Sequence, residues 1–234
     1  YRLENDISVA ELLDRHGQRG ALRQRLWEPL CIAALNTAPG NASAQIFANV
    51  LRDSLGGRGS DTDLLLPAAD LNALFPDAAA GHLESHDASI RSGTRVRAIE
   101  RPLAIDGEPF DHIVIATAPR HAASLLAGHP ETAATAAMLS AYEHEPIGCA
   151  YLAYPDDIRL PEPMLGLESV GHERLGQWAF DRGALGGPRG LVSFVLSAEG
   201  AWDRLDDDAL CRALHGELEA ALGRALPSPR WQRV

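Results

Sequence analysis

Apolar residues recur at helical spacing through the first third of the chain. Ser8 stands where a helix N-cap belongs, and Glu11 follows three residues later, the spacing of a capping box. Leu12 and Leu13 give that helix its apolar face, and Gly17 can end it. A second helix is expected over Ala21 to Leu35, with Leu22, Leu26, Leu30 and Ala33 on one side. After the turn residues Pro39-Gly40-Asn41, Ser43 caps a third helix to Leu55, with Ile46, Phe47, Val50 and Leu51 inward. Gly56-Gly57-Arg58-Gly59 stops it. Asp63 to Pro67 reads as a short strand, and Asp70 caps a helix to about Glu84.

The pattern then changes to short strands: Ser89 to Arg91, Arg95 to Glu100, and Leu103 to Ile105 ahead of a hairpin turn at Asp106-Gly107. Ile113-Val114-Ile115-Ala116 is an almost unbroken apolar run, the signature of a strand buried on both faces. Thr117-Ala118-Pro119 ends it and a helix follows, His121 to Ala127. Further on come a helix over Glu131 to Ser140, strands over Ile147 to Tyr154, Gln177 to Phe180 and Leu191 to Ser197, and a last helix from Asp206 to Leu222. Three aspartates at its start suit the positive end of a helix dipole. Helices and strands together predict an α/β fold with α+β character.

Composition narrows the function classes. The net charge is −11 and every one of the 21 basic residues is Arg. So acidic a chain has no general attraction for nucleic-acid phosphates, and without Lys it has no Schiff-base or P-loop chemistry. Cys31, Cys149 and Cys211 are far apart and form no CxxC pair, which argues against a disulfide framework or a zinc site. No GxSxG elbow, HExxH or Walker motif occurs. The His144-Glu145 and His172-Glu173 neighbours read as solvated surface. The glycine clusters at 56–59 and 183–187 do not match GxGxxG and read as flexible loops.

Two sets of residues carry a family resemblance. The first is Ser92-Gly93-Thr94-Arg95-Val96-Arg97-Ala98-Ile99-Glu100, then a hairpin, then Phe110 to Pro119. It resembles the second nucleotide-domain segment of the flavin amine oxidase superfamily, where a GxxVxxI strand leads to a D-x-V-I-x-A-x-P strand. The second set is Leu26 to Thr37, Ala42 to Phe47, Val50 to Asp53, Asp63 to Pro67 and Leu74-Phe75-Pro76, joined later by Glu145-Pro146-Ile147, Tyr151 to Tyr154 and Gln177 to Arg182. In order and spacing it resembles the squalene-associated FAD-dependent desaturases, better described as hydroxysqualene dehydroxylases of hopanoid biosynthesis.

The resemblance implies FAD as cofactor, an apolar isoprenoid as substrate, and reductive removal of a hydroxyl. A phytoene-like polyene desaturase and an amine oxidase are the neighbouring alternatives. A non-catalytic binding domain is the alternative of another class. It places cofactor contacts at Val96, Ala116, Thr117 and Pro119, with the main chain of Val96 meeting the adenine edge. Candidate substrate residues are Trp27, Leu30, Leu35, Asn36 and Phe47. Asn36, inside an apolar helix, either faces a substrate hydroxyl or caps the helix end. Tyr142 and Tyr151 are further candidates for proton donation, and no catalytic acid or metal is assigned.

The family's glycine-rich phosphate motif and its C-terminal flavin-closing segment have no match here. The chain is therefore expected to be an interior piece that holds FAD poorly by itself. The expected division is a helical substrate-domain part (1–70), a partial FAD-binding, Rossmann-like segment (71–128), and a substrate-domain mixed sheet with helices (129–234). The expected setting is cytoplasmic, with a peripheral contact at the inner membrane face and a homodimer left open.

Overall fold

A computed structural model describes residues 2–167 and 175–234. The His172-Glu173 pair lies outside the described residues. In chain order the helices are α1 (Val9–Arg15), α2 (Gly20–Leu22), α3 (Glu28–Leu35), α4 (Ala44–Leu55), α5 (Leu71–Leu74), α6 (Pro76–Glu84), α7 (Pro119–Leu126), α8 (Ala133–Ser140) and α9 (Asp207–Leu222). The strands are β1 (Ile99–Glu100), β2 (Ala104–Ile105), β3 (Glu108–Pro109), β4 (Ile147–Ala153), β5 (Met164–Gly166), β6 (Trp178–Asp181), β7 (Leu191–Ser197) and β8 (Trp231–Arg233). The α/β reading holds.

The chain parts into two compact units, residues 1–77 with 145–234, and residues 78–144. These borders differ from the expected 70/71 and 128/129. Helix α8, assigned from sequence to the third segment, packs with α7 inside the second unit.

In the first unit a five-stranded sheet runs in the order β5-β6-β7-β4-β8. The sheet expected to be mixed is antiparallel at every pairing. Because side chains alternate across a strand, Ala150, Leu152, Ala179, Val192, Phe194 and Leu196 fall on one face. There they form the main core with Leu210, Cys211, Leu214 and Leu218 of α9. Asp206 caps α9 by accepting from the Ala209 N–H at 2.7 Å, and Gly223 ends it in the left-handed region at φ 62°.

A smaller core gathers Val9, Leu13, Cys31, Ala42 and Phe47. The capping box of α1 is half made. Ser8 Oγ accepts from the Glu11 N–H at 3.1 Å, while the Glu11 carboxylate pairs with Arg15 one turn on. The expected helix over 21–35 forms as α2 and α3 joined by a π-helical segment, Arg23–Trp27. The helix expected over 70–84 is broken between α5 and α6 at Phe75-Pro76. Proline removes an N–H and disfavours a helical residue before it.

In the second unit β1, β2 and β3 form a small antiparallel meander. Asp106 and Gly107 turn it with φ of 50° and 87°, the positive pair a tight hairpin needs. The Asp106 carboxylate accepts from the N–H groups of Arg97 and Ala98.

Three expected strands are absent. Residues 63–67 and 89–91 belong to no strand or helix, and neither do 113–116, expected to be buried on both faces. Val114 is 89% exposed. An apolar run encodes an environment, and a strand also needs a neighbour to hydrogen-bond. Among the described residues no segment pairs with 113–116.

Candidate functional site

The second unit holds a cavity of about 730 Å³ lined by Thr94, Arg95, Val96, Arg97, Thr117, His121, Ser124 and Leu125. Two segments and one helix build it. The chain enters extended at Thr94, because Gly93 before it turns at φ 66°. Asp106 then fixes the N–H groups of Arg97 and Ala98, which leaves Val96 as the last residue before those the hairpin turn holds. No described residue takes its N–H or C=O, so an extended main-chain edge borders the cavity. Helix α7 begins at Pro119, where a missing N–H costs nothing, and brings His121, Ser124 and Leu125 to the wall.

Of the four residues assigned to the cofactor from sequence, Val96 and Thr117 therefore meet at one cavity. Ala116 and Pro119 flank Thr117 along the chain, Ala116 exposed and Pro119 at the first turn of α7. Arg95 and Arg97 were not singled out by sequence. Their guanidiniums make no ion pair with a described residue, so they give the cavity a positive character within an acidic chain.

The residues assigned to substrate lie in the first unit. Phe47 is fully buried at the centre of the smaller core, and Trp27, Leu30 and Leu35 pack around it. The Trp27 indole donates to Gln18 Oε1 at 2.8 Å. Burial pushes the Cys31 thiol in this cluster up to about 11, with the Glu28 charge adding to it. Asn36 caps α3 in the left-handed conformation, φ 48°. Its Oδ1 accepts from the Ala198 N–H at 2.7 Å, and its Nδ2 donates to the carbonyls of Pro146 at 3.1 Å and Glu145 at 3.3 Å. The amide thus ties the end of α3 to the start of β4 and the end of β7. Tyr142 is exposed and lies in the second unit.

On the other face of the large sheet, sequence reasoning singled out only Tyr151 as a candidate. Ile147, Cys149 and Tyr151 of β4, Val195 of β7, Trp178 and Phe180 of β6, Met164 of β5 and Trp231 of β8 all stand on the side away from α9. None belongs to either buried cluster. Tyr151, Val195, Trp178, Phe180 and Met164 are half-buried, while Ile147 and Trp231 are exposed. Gly166 leaves room for the Trp178 indole: a Cβ there would meet the ring at 3.3 Å. The signal was available. β4 is apolar at both parities, whereas a strand with one solvated face alternates.

The model of the family described as flavin containing amine oxidoreductase matches residues 2–234. Among curated relatives, the hydroxysqualene dehydroxylase of Sinorhizobium fredii is 31% identical over 120 residues, 47% of this chain and 29% of that protein. The hydroxysqualene dehydroxylase of Rhodopseudomonas palustris is 33% identical over 121 residues, again 47% and 29%. The matched stretch therefore spans under a third of the length of either relative.

Among solved structures, a Pyrococcus furiosus protein superposes with a TM-score of 0.68 at 14% identity, over 99% of this chain and 58% of its own. An oxidoreductase from Methanosarcina mazei gives 0.63 at 11% identity, over 98% and 56%. These likenesses show a shared fold. With the family model running along the chain from 2 to 234, this protein belongs to the flavin containing amine oxidoreductases.

Proposed function

We propose that this chain is the part of an FAD-dependent oxidoreductase that lies against a C30 isoprenoid, and that the whole enzyme reductively removes the hydroxyl of hydroxysqualene to give squalene. The observation that carries the reading is the 31% and 33% identity to two hydroxysqualene dehydroxylases over about half of the chain. The sheet face supports it. A C30 polyene has almost no polar handles, and a broad surface of Trp178, Phe180, Met164 and Val195 suits it by burying apolar area.

The second-unit cavity fits the adenosine end of FAD. Val96 offers an unpaired main-chain edge to a planar base, and Arg95 and Arg97 bring positive charge to a cavity that would receive phosphate. Reduced FAD, when bound, supplies the hydride for such a reaction. The hydroxyl then leaves as water, with one proton added. The chain's own part is to hold the adenine edge at Val96, seat the polyene on the sheet, and keep bulk water off it. The sequence contains no glycine-rich pyrophosphate turn, so the chain alone should hold FAD weakly.

The test uses the full-length enzyme. It is incubated anaerobically with reduced FAD and hydroxysqualene, and the products are read by mass spectrometry. Flavin-dependent squalene supports the reading. A folded, FAD-loaded enzyme that gives none overturns it.

A further inference from the structure

The largely apolar face of the large sheet carries a few polar groups, and one of them is central. Tyr151 stands near its middle, on the central strand β4, in the row Arg233–Tyr151–Ser193–Phe180–Met164. The Arg182 N–H donates to the Leu191 carbonyl, which carries the β6–β7 ladder one residue on. That register puts Arg182 on the same face as Phe180 and Trp178, two strands from Tyr151 across β7, so that two long side chains can approach each other over β7. A hydrogen bond with the Cys149 thiol, followed by burial, holds the Tyr151 phenol protonated above its ordinary range, and the Arg182 guanidinium opposes this more weakly.

Arg182 has no ion-pair partner among the described residues. Its neighbour Asp181 points to the other face, where its carboxylate accepts from the N–H groups of Leu160 and Ala184. No Asp or Glu occupies any ladder position of the open face. A half-buried guanidinium with no carboxylate partner among the described residues, and a phenol whose described partner is the Cys149 thiol, a weak acceptor, thus share this face.

We propose that Tyr151 and Arg182 form a polar anchor that accepts the oxygen of an isoprenoid alcohol whose hydrocarbon lies over Trp178, Phe180 and Met164. The proposal rests on the reading above for the ligand's isoprenoid body, and adds the residues that orient its hydroxyl. The Tyr151 O–H and the guanidinium donate to the alcohol oxygen, so that end is fixed over β4 while the rest makes only apolar contacts. A neutral alcohol suits the place better than a diphosphate, because among the described residues Arg182 is the cation that acts on the phenol and Arg233 lies exposed at the sheet edge.

The experiment measures equilibrium binding of farnesol, farnesyl diphosphate and the hydrocarbon farnesene to the full-length, FAD-loaded oxidised protein, by quenching of tryptophan fluorescence. Farnesol should bind about tenfold tighter than farnesene. Tyr151→Phe and Arg182→Gln should each bring that preference below about threefold with farnesene affinity unchanged, which also shows that the fold is intact, and Arg182→Lys should restore part of it. Equal binding of farnesol and farnesene to the unaltered protein, a preference that survives both substitutions, binding of neither ligand, or a diphosphate preferred over the alcohol would each overturn the anchor. The two readings fail separately. A preserved alcohol preference with no squalene from the turnover assay sinks the dehydroxylase reading and leaves the anchor standing.

Discussion

Asn36→Ala should destabilise the first unit by far more than a surface substitution does. Asn36 accepts the Ala198 N–H and donates to two carbonyls, and it does so from a left-handed backbone. Ala198 is 3% exposed, so its N–H would lose its partner where water cannot replace it. That loss costs about 1–3 kcal/mol. Placing a residue with a Cβ but no local hydrogen-bonding group in the left-handed region adds about 1 kcal/mol. The sum is about 2–4 kcal/mol for alanine. Asn36→Gly relieves the backbone but not the orphaned N–H, so it should fall between wild type and alanine. Asn36→Asp keeps the acceptor for Ala198 but sets a carboxylate oxygen against two carbonyls, and should be as harmful as alanine. Urea unfolding followed by tryptophan fluorescence measures all three, since the Trp202 indole donates to the Ala198 carbonyl at 2.8 Å and reports on this corner. A shift of under about 0.5 kcal/mol for alanine would refute the reasoning. An unchanged stability with weakened ligand binding would return Asn36 to the substrate.

Three further outcomes are expected. Gly190→Ala should cost about 2 kcal/mol or more in the same unfolding assay, because Gly190 sits at φ 72° and a Cβ would come within 2.6 Å of the Tyr154 and Pro155 carbonyl oxygens; a neutral effect would mean that this turn is otherwise arranged. Cys149, exposed, should react with a thiol reagent well before buried Cys31 and Cys211, as mass mapping of the labelled peptides would show. The Cys31 thiol is held protonated up to about 11 in the folded state, whereas the unfolded thiol ionises near ~8.5. The folded chain therefore binds the extra proton between those values, and stability should fall as pH rises through that window. Cys31→Ser, whose hydroxyl does not titrate there, should flatten the slope in a series of denaturation curves.

Much of the fold was legible because its signals are local. Ser8, Ser43, Asp70 and Asp206 each accept the N–H that an N-cap should, and Asp106-Gly107 makes the hairpin its residue types demand. Signals that depend on a distant neighbour misled. Ile113 to Ala116 carries the composition of a buried strand, yet pairing is supplied by another segment and no described one does so. The 183–187 glycine cluster read as a flexible loop, but Leu185 is buried and a Cβ on Gly186 would meet the Ala68 carbonyl at 2.4 Å, so those glycines allow close packing. Val96 and Thr117, which line the second-unit cavity, were singled out by family resemblance. Tyr151 and Arg182 sit 31 residues apart with β7 between their strands, and only the register brings them to one face.

That register is held by polar side chains committed to the main chain. Gln177 Oε1 accepts from the Ser197 N–H at 2.7 Å and its Nε2 donates to the Ser197 carbonyl, so a side-chain amide extends the pairing between β6 and β7. Asp181 fixes the other end of β6 through Leu160 and Ala184. Asn36 joins the start of β4 to the end of β7. The strands pinned in this way are those that carry Tyr151, Val195, Trp178 and Phe180. Buried polar groups with every function satisfied specify one arrangement more sharply than apolar packing, which tolerates sliding. On the proposed reading, a flexible polyene makes few directional contacts of its own, so the geometry of its reaction would have to come from the surface beneath it. A sheet locked at the ends of its three central strands, with the proposed anchor near the middle, would supply that geometry, and loosening a lock should then blur the alcohol preference even when Tyr151 and Arg182 are untouched.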